Sequence, residues 1–190
     1  GTSARRGALR LRLRLTTDDR WADLRGPTAC ELLTGAERAD LLGRLGPDPL
    51  RDEPPEAAVE EFVRRVGRAR ARIGTLLMDQ SAIAGVGNVY RAEVLLRAGT
   101  SPFTAGRDVE PSVVRAMWDD LAALMRAGVR TGRIVTTDPD DRQRPVGRTR
   151  RVDAHYVYGR AGLPCRRCGT EVRAAELAAR SVYWCPACQA

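Results

Sequence analysis

Two Cys-x-x-Cys pairs, Cys165-Arg-Arg-Cys168 and Cys185-Pro-Ala-Cys188, constrain the end of this chain more tightly than any other feature. Sixteen residues separate the inner cysteines, enough for a short hairpin that brings both knuckles to one centre. Four thiolates at that spacing predict a single closed, structural Zn²⁺ site. Two disulfides or redox pairs are the alternatives, and the reading of a soluble intracellular chain disfavours them. So small a hairpin has little core, so the metal is expected to supply most of its folding energy, on the order of 10–16 kcal/mol at neutral pH. The fifth cysteine, Cys30, stands alone and reads as a small buried residue. His155, the sole histidine, is not needed as a ligand beside four cysteines and is expected to pack or hydrogen-bond.

Upstream, hydrophobic periodicity divides the chain. Ala8–Leu15 alternates apolar and cationic residues with period two, the pattern of a half-buried strand. Thr17-Asp18-Asp19 then turns, Trp21–Leu24 reads as a short return strand, and Gly26-Pro27 turns again. Two or three strands do not make a stable sheet alone, and the first residue is not Met. This part is therefore expected to be the last strands of a larger, truncated β-sandwich domain. From Thr34 to about Arg133 the pattern is helical. Thr34 with Glu37 fits a capping box, and Leu41, Leu42 and Leu45 form a stripe that stops at Gly46-Pro47. Pro54-Pro55 opens a long helix on which Val59, Phe62, Val63, Val66 and Ile73 recur at helical spacing. Thr75–Gln80 reads as a short apolar helix. Pro111–Arg126 reads as another, buried through Val114, Met117, Trp118, Leu121 and Leu124, with Pro111 in its first turn. Between them, Gln80–Asn88 places two glycines just before the apolar run Val89, Val94, Leu95 and Leu96, a tight turn leading to a helix N-terminus. Asp138–Thr149 is polar, contains proline and reads as a linker.

The expected class is α+β, with remnant strands over 1–33, a helical domain over 34–136, a linker over 137–152 and a β-hairpin zinc finger over 153–190. No stretch resembles a signal peptide or a membrane span, and a soluble, cytoplasmic protein is expected.

The formal net charge is +8, and from Arg142 onward ten arginines face only Asp153, Glu171 and Glu176. A basic patch concentrated in one module is the electrostatic footprint of phosphate binding. Three tryptophans and few other aromatics offer no base-stacking platform. Every Lys+Arg residue is arginine, so no side-chain amine is present to form a Schiff base.

Two stretches together resemble the formamidopyrimidine-DNA glycosylase/endonuclease VIII family. Leu77-Met78-Asp79-Gln80 through Gly85-Val86-Gly87-Asn88-Val89-Tyr90, with Glu93, Leu96, Arg97, Ala98 and Gly99, is similar to its helix–two-turn–helix. Val157-Tyr158-Gly159-Arg160, Pro164–Gly169 and Ala179–Gln189 are similar to its C-terminal zinc finger. The resemblance implies that Asn88, ending the Gly-x-Gly-Asn turn with Gly87, binds a phosphate beside a lesion. A short amide and free N–H groups at a helix N-terminus suit that role, and a plain N-cap role is compatible with it. It further implies that Arg180 clamps the phosphate at the lesion and assists δ-elimination, that Tyr158 contacts phosphate, and that Arg70 is a basic DNA contact. Formamidopyrimidine-type members commonly carry lysine where this chain has Gly74, which leans it toward the endonuclease VIII side.

By the same resemblance the activity is that of a DNA glycosylase and abasic-site lyase acting on oxidised bases in damaged or abasic double-stranded DNA, as a monomer. An N-terminal proline amine, a neighbouring glutamate and a lysine carry that chemistry. None of the three is found in this sequence, so the chain alone is expected to be inactive or very weak. A stand-alone DNA-binding module without catalysis is the second expectation. An unrelated nucleic-acid protein is a third, disfavoured by the Gly-Val-Gly-Asn turn and the placement of Arg180 before Cys185.

Overall fold

Alternation at the N-terminal end does produce strands, but among the described residues no layer covers them. A computed structural model describes residues 11–26, 29–51 and 56–189, and the chain divides into two compact units with the boundary between Leu42 and Gly43. In the first, β1 (Leu11–Thr16) pairs antiparallel with β2 (Trp21–Arg25). Arg14 lies opposite Asp23 and donates from Nε to Oδ1 at 2.7 Å, while Arg25 Nη2 donates to Oδ2 at 2.6 Å. The two guanidiniums, Arg14 foremost, hold the Asp23 carboxyl down at about 2. Leu11, Leu13 and Leu15 remain 41%, 41% and 63% exposed, so the expected half-burial is not realised. Among the described residues the two strands have no second layer to pack against. Residues 8–10 of the expected strand, and Pro27, lie outside the described residues.

The capping box forms: Thr34 N donates to Glu37 Oε2 at 2.8 Å and Glu37 N to Thr34 Oγ1 at 3.3 Å, opening α1 (Gly35–Gly43). Its expected core stripe is exposed, with Leu41 at 50% and Leu42 at 44%. Cys30, expected to be buried, is exposed.

The second unit holds α2 (Glu56–Arg68), α3 (Ile73–Leu76), α4 (Asn88–Arg97), α5 (Pro111–Thr131) and a hairpin of β3 (Arg173–Leu177) and β4 (Arg180–Trp184). Pro54-Pro55, expected to open α2, lie outside the described residues. Val59, Phe62 and Val66 of α2 are buried, and the Phe62 ring meets Trp118 of α5 at 5.7 Å between centroids. Ile73 is not on that helix, as periodicity suggested; it opens α3. The reason is a backbone pairing with a segment distant in sequence: Gly106 N donates to Ala71 O and Arg107 N to Ala69 O, both at 2.9 Å, drawing the chain out of the helix after Arg68. The helix expected over Thr75–Gln80 survives only to Leu76 and continues as hydrogen-bonded turns. Helix α5 starts on Pro111 as expected but runs past Arg126 to Thr131, where Gly132 at φ 64° stops it. Among the described residues no helix is long and apolar enough to cross a membrane.

A second buried cluster joins Ala92 and Leu96 of α4 to Tyr156, Val157, Val172 and the knuckle cysteines Cys165 and Cys185. The stretch read as a linker is tied at both of its ends. Arg97 makes a two-bond pair with Asp120 at 2.7 and 2.9 Å and donates to Thr136 O at 2.8 Å. Tyr156 Oη donates to Asp138 at 3.0 Å, and Arg133 donates to Thr149 O at 2.7 Å.

Candidate nucleic-acid interface and metal centre

The two knuckles form by matching turns. Gly169, at φ 78°, donates its N–H to Cys165 O at 2.9 Å, and Gln189 N donates to Cys185 O at 3.0 Å. The Gln189 side chain, 3% exposed, accepts from Cys185 N at 2.8 Å and donates to Thr100 O at 2.9 Å, tying the finger to the end of α4. The Sγ atoms of Cys165, Cys168, Cys185 and Cys188 all lie within 4.8 Å of one another. Two of the pairs stand at 4.0 Å (Cys165, Cys188) and 3.4 Å (Cys168, Cys185). A tetrahedral zinc with bonds of about 2.3 Å needs sulfurs about 3.8 Å apart. The donor set therefore fits one structural Zn²⁺. The Thr170 hydroxyl and N–H bring Cys168 down to about 6, whereas burial and then neighbouring sulfurs push Cys185 and Cys188 up. A dication at the centre offsets that crowding of thiolates. His155 is not among the clustered ligands; its ring packs edge-on against Tyr158 at 5.4 Å, and burial lowers its pKa.

The second site is built where α4 begins. Gly85 adopts φ 81°, a left-handed conformation that glycine tolerates best. Gln80 staples this turn: its Oε1 accepts from Gly85 N at 2.9 Å and its Nε2 donates to Val86 O at 3.0 Å. Gly87, not Asn88, occupies the N-cap, in extended backbone and with no side-chain cap bond. The plain N-cap role for Asn88 is thus overturned. Its amide is drawn across to the finger instead, with Nδ2 donating to Ser181 O at 3.0 Å and Oδ1 accepting from Arg91 Nη2. A Cβ added at Gly87 would meet nothing within 4 Å. Arg180 opens β4 and is exposed, just after a tight turn whose Ala178 and Ala179 both sit at φ 55°. These pieces surround an open pocket of about 660 Å³ lined by Thr75, Gln80, Gly87, Asn88, Ala178 and Arg180, among others. Free N–H groups at a helix N-terminus, an amide and a guanidinium make an anion-receptive surface.

Gly74 is explained by packing. A Cβ there would come within 2.8 Å of both Leu177 Cδ2 and Pro102 O. Tyr158 does not line the pocket shared by Asn88 and Arg180; it lines a second one, of about 390 Å³, with Arg151, His155 and Arg160. Arg70 is exposed in the segment after α2 and lines neither pocket.

Sequence patterning missed Arg91 and Glu93. Both are charged and 0% exposed. Glu93 Oε1 accepts from Val157 N at 2.9 Å and Tyr158 N at 2.8 Å, and Oε2 accepts from Tyr156 N at 2.7 Å and the Thr136 hydroxyl. One carboxylate of α4 thus fixes the start of the finger module, Tyr158 included. Two charges inside an apolar run, and for Glu93 its place in the helix–two-turn–helix resemblance, were the available signals.

Comparison with known proteins bears on both sites. The family description "Formamidopyrimidine-DNA glycosylase H2TH domain" matches residues 45–140, and "Zinc finger found in FPG and IleRS" matches 162–190. The chain is 46% identical over 181 residues to endonuclease 8 1 of Mycobacterium tuberculosis, covering 94% of this chain and 66% of that protein. It is 37% identical over 165 residues to the formamidopyrimidine-DNA glycosylase of Thermus thermophilus, covering 83% and 60% respectively. The chain thus spans less than two thirds of the length of these relatives. Its fold is similar to the crystal structure of the Thermus thermophilus protein MutM (Fpg), with a TM-score of 0.65, 33% identity, and coverage of 90% of this chain and 60% of that one. It is also similar to Lactococcus lactis Fpg in complex with DNA containing an abasic site, with a TM-score of 0.63, 22% identity, and coverage of 81% and 55%. At that identity the second likeness speaks for the fold alone.

Proposed function

This chain belongs to the formamidopyrimidine-DNA glycosylase/endonuclease VIII family, and from that premise we propose that its 190 residues bind duplex DNA at a damaged or abasic nucleotide. The reaction served is glycosylase and abasic-site lyase chemistry on oxidised bases. The observation that carries the reading is the pocket itself, which joins Gly87 and Asn88 of the turn to Arg180 of the finger hairpin across about half of the sequence. Gly87 adds support. Neither its backbone conformation nor its packing calls for glycine, so the open face above its N–H suits close approach of a phosphate. In this reading 34–136 is the DNA-binding helical domain, 137–152 its connection, and 153–190 the zinc finger, with 1–33 strands of a further domain. Tyr158 and Arg70 serve as outlying phosphate contacts.

Two observations favour the endonuclease VIII side. The Gly74 position has no room for a longer side chain, and identity to the endonuclease 8 relative is 46% against 37% for the formamidopyrimidine enzyme. The sequence contains no lysine. The assisting lysine that the family resemblance calls for is therefore not among these 190 residues. A binding module without catalysis of its own is the second reading, resting on that same observation.

The test is equilibrium binding, by fluorescence anisotropy, to a duplex bearing a tetrahydrofuran abasic-site analogue. Arg180→Ala and Asn88→Ala, each verified as folded and zinc-loaded, should each weaken binding by about 1–3 kcal/mol, as for loss of a charge-assisted hydrogen bond. Wild-type affinity in both variants would overturn the proposal.

A further inference from the structure

Arg91 is the one fully buried arginine among the described residues, and its burial is of an unusual kind. No carboxylate of the described residues pairs with it. Instead, Nη1 donates to Gly74 O at 3.3 Å and Leu177 O at 3.1 Å, while Nη2 donates to Ser181 O at 3.1 Å and to Asn88 Oδ1. Nε has no hydrogen-bond partner among the described residues. The four acceptors follow the pocket wall. Asn88 lines it, Gly74 precedes Thr75, Leu177 precedes Ala178, and Ser181 follows Arg180.

Carbonyl dipoles solvate a guanidinium but do not cancel its charge. A buried ion left without a counter-ion is costly, and a second like charge nearby raises that cost. Both conditions hold: burial foremost, and then the positive charge of Arg180, push the Arg91 pKa down. An anion entering the pocket would relieve both at once. Arg91 also settles which way Asn88 faces. A guanidinium can only donate, so it selects the amide orientation with Oδ1 toward it and Nδ2 directed away.

We propose that Arg91 is a positioning residue of the phosphate clamp, its buried charge balanced by the DNA phosphate held between Asn88 and Arg180 and its fork fixing the Asn88 amide. This rests on the DNA-binding reading above. It adds an interior cation to a clamp that otherwise consists of surface groups.

A merely structural strut would hold the turn to the hairpin without sensing the charge of the DNA, and this difference can be measured. The abasic-analogue duplex is prepared with each flanking phosphate replaced in turn by a neutral methylphosphonate, and binding is titrated by anisotropy. For the wild-type chain one such replacement should weaken binding about tenfold or more. In folded, zinc-loaded Arg91→Gln, or in Arg91→Met as a second neutral variant, that penalty should shrink to about threefold or less, since coupled partners are not additive. Arg91→Lys, which keeps the charge and gives up the fork, should retain most of it. An undiminished penalty in the neutral variants overturns the proposal. So does its disappearance in Arg91→Lys, which also decides the matter should neither neutral variant fold. Absence of wild-type binding, or of any wild-type penalty, instead refutes the DNA-binding reading and takes this inference with it.

Discussion

At the scale of single residues, the site separates groups fixed by the fold from groups left open to solvent. Gly85 and Gly74 belong to the first kind, one for its φ of 81° and the other for contacts that a Cβ would violate. Gly87 belongs to the second, with extended backbone and open space above it. Gly87→Ala should therefore cost the fold about 1 kcal/mol or less, the difference between glycine and alanine at a helix cap. It should weaken binding to abasic-analogue DNA by more than that, because the added methyl group occupies the approach to the N–H groups of α4. Thermal melting and anisotropy titration on the same preparation check the two halves separately. A variant that melts far lower and binds in proportion would show that the glycine is structural. How much of this was legible in sequence depends on the residue. The Gly-x-Gly-Asn turn announced itself because glycine and asparagine before an apolar run have few other uses. Arg91 and Glu93 did not, because periodicity assigns a charged residue to solvent, whereas both are buried among backbone partners that come from distant parts of the chain.

At the scale of elements, the zinc-finger hairpin carries a local cost that can be removed. Its turn places two alanines at φ 55°, where an L-residue with a Cβ is disfavoured by roughly 1–2 kcal/mol each. The double change Ala178→Asn with Ala179→Gly supplies the pair that a type I′ hairpin prefers. The finger should then resist chelator-induced unfolding to a higher chelator concentration, and an unchanged midpoint would show that the turn is not strained. The metal dominates that element. Chelator-washed and then zinc-loaded protein should contain one zinc per chain. Cys185→Ser should lose the finger while sparing most helical signal, because the core of α2, α4 and α5 around Phe62, Leu95, Met117 and Trp118 is a cluster distinct from the one holding the cysteines. Metal analysis and far-UV circular dichroism read the two outcomes. Sequence served the elements unevenly, for physical reasons. The start of α5 was visible because proline suits a first helical turn. Its end was not, because Ala127–Thr131 continues the helix on backbone bonds without extending the apolar stripe. The break between α2 and α3 is a tertiary effect of the 104–107 segment, which no window along the chain contains.

At the scale of the whole molecule, holding DNA and cutting it call for different chemical groups. The second unit offers guanidiniums, amides and backbone N–H groups, all suited to phosphates, and binding dominated by such groups falls steeply with salt. Lyase chemistry asks for something else, an amine able to form an imine with the opened sugar. Arginine cannot supply it, and every basic side chain counted among Lys and Arg here is arginine. Arg180 can stabilise a phosphate during a late elimination, but it cannot begin the sequence. The α-amino group of the polypeptide is the remaining amine. Its ordinary pKa near 8 leaves a fraction unprotonated at neutral pH, so slow imine formation with an abasic site is chemically open to it. Speed requires placement, which supplies roughly 7–11 kcal/mol of the barrier in a well-oriented reaction. The polypeptide of this sequence should therefore bind an abasic-site duplex tightly at low salt, yet give only slow, substoichiometric crosslinking when borohydride is added to trap an imine. Fast and near-stoichiometric trapping would place a working amine within these 190 residues and refute that expectation. Adding in trans or fusing a domain that begins with proline and glutamate should restore trapping, and Arg180→Ala in that restored protein should slow the second elimination more than the formation of the imine.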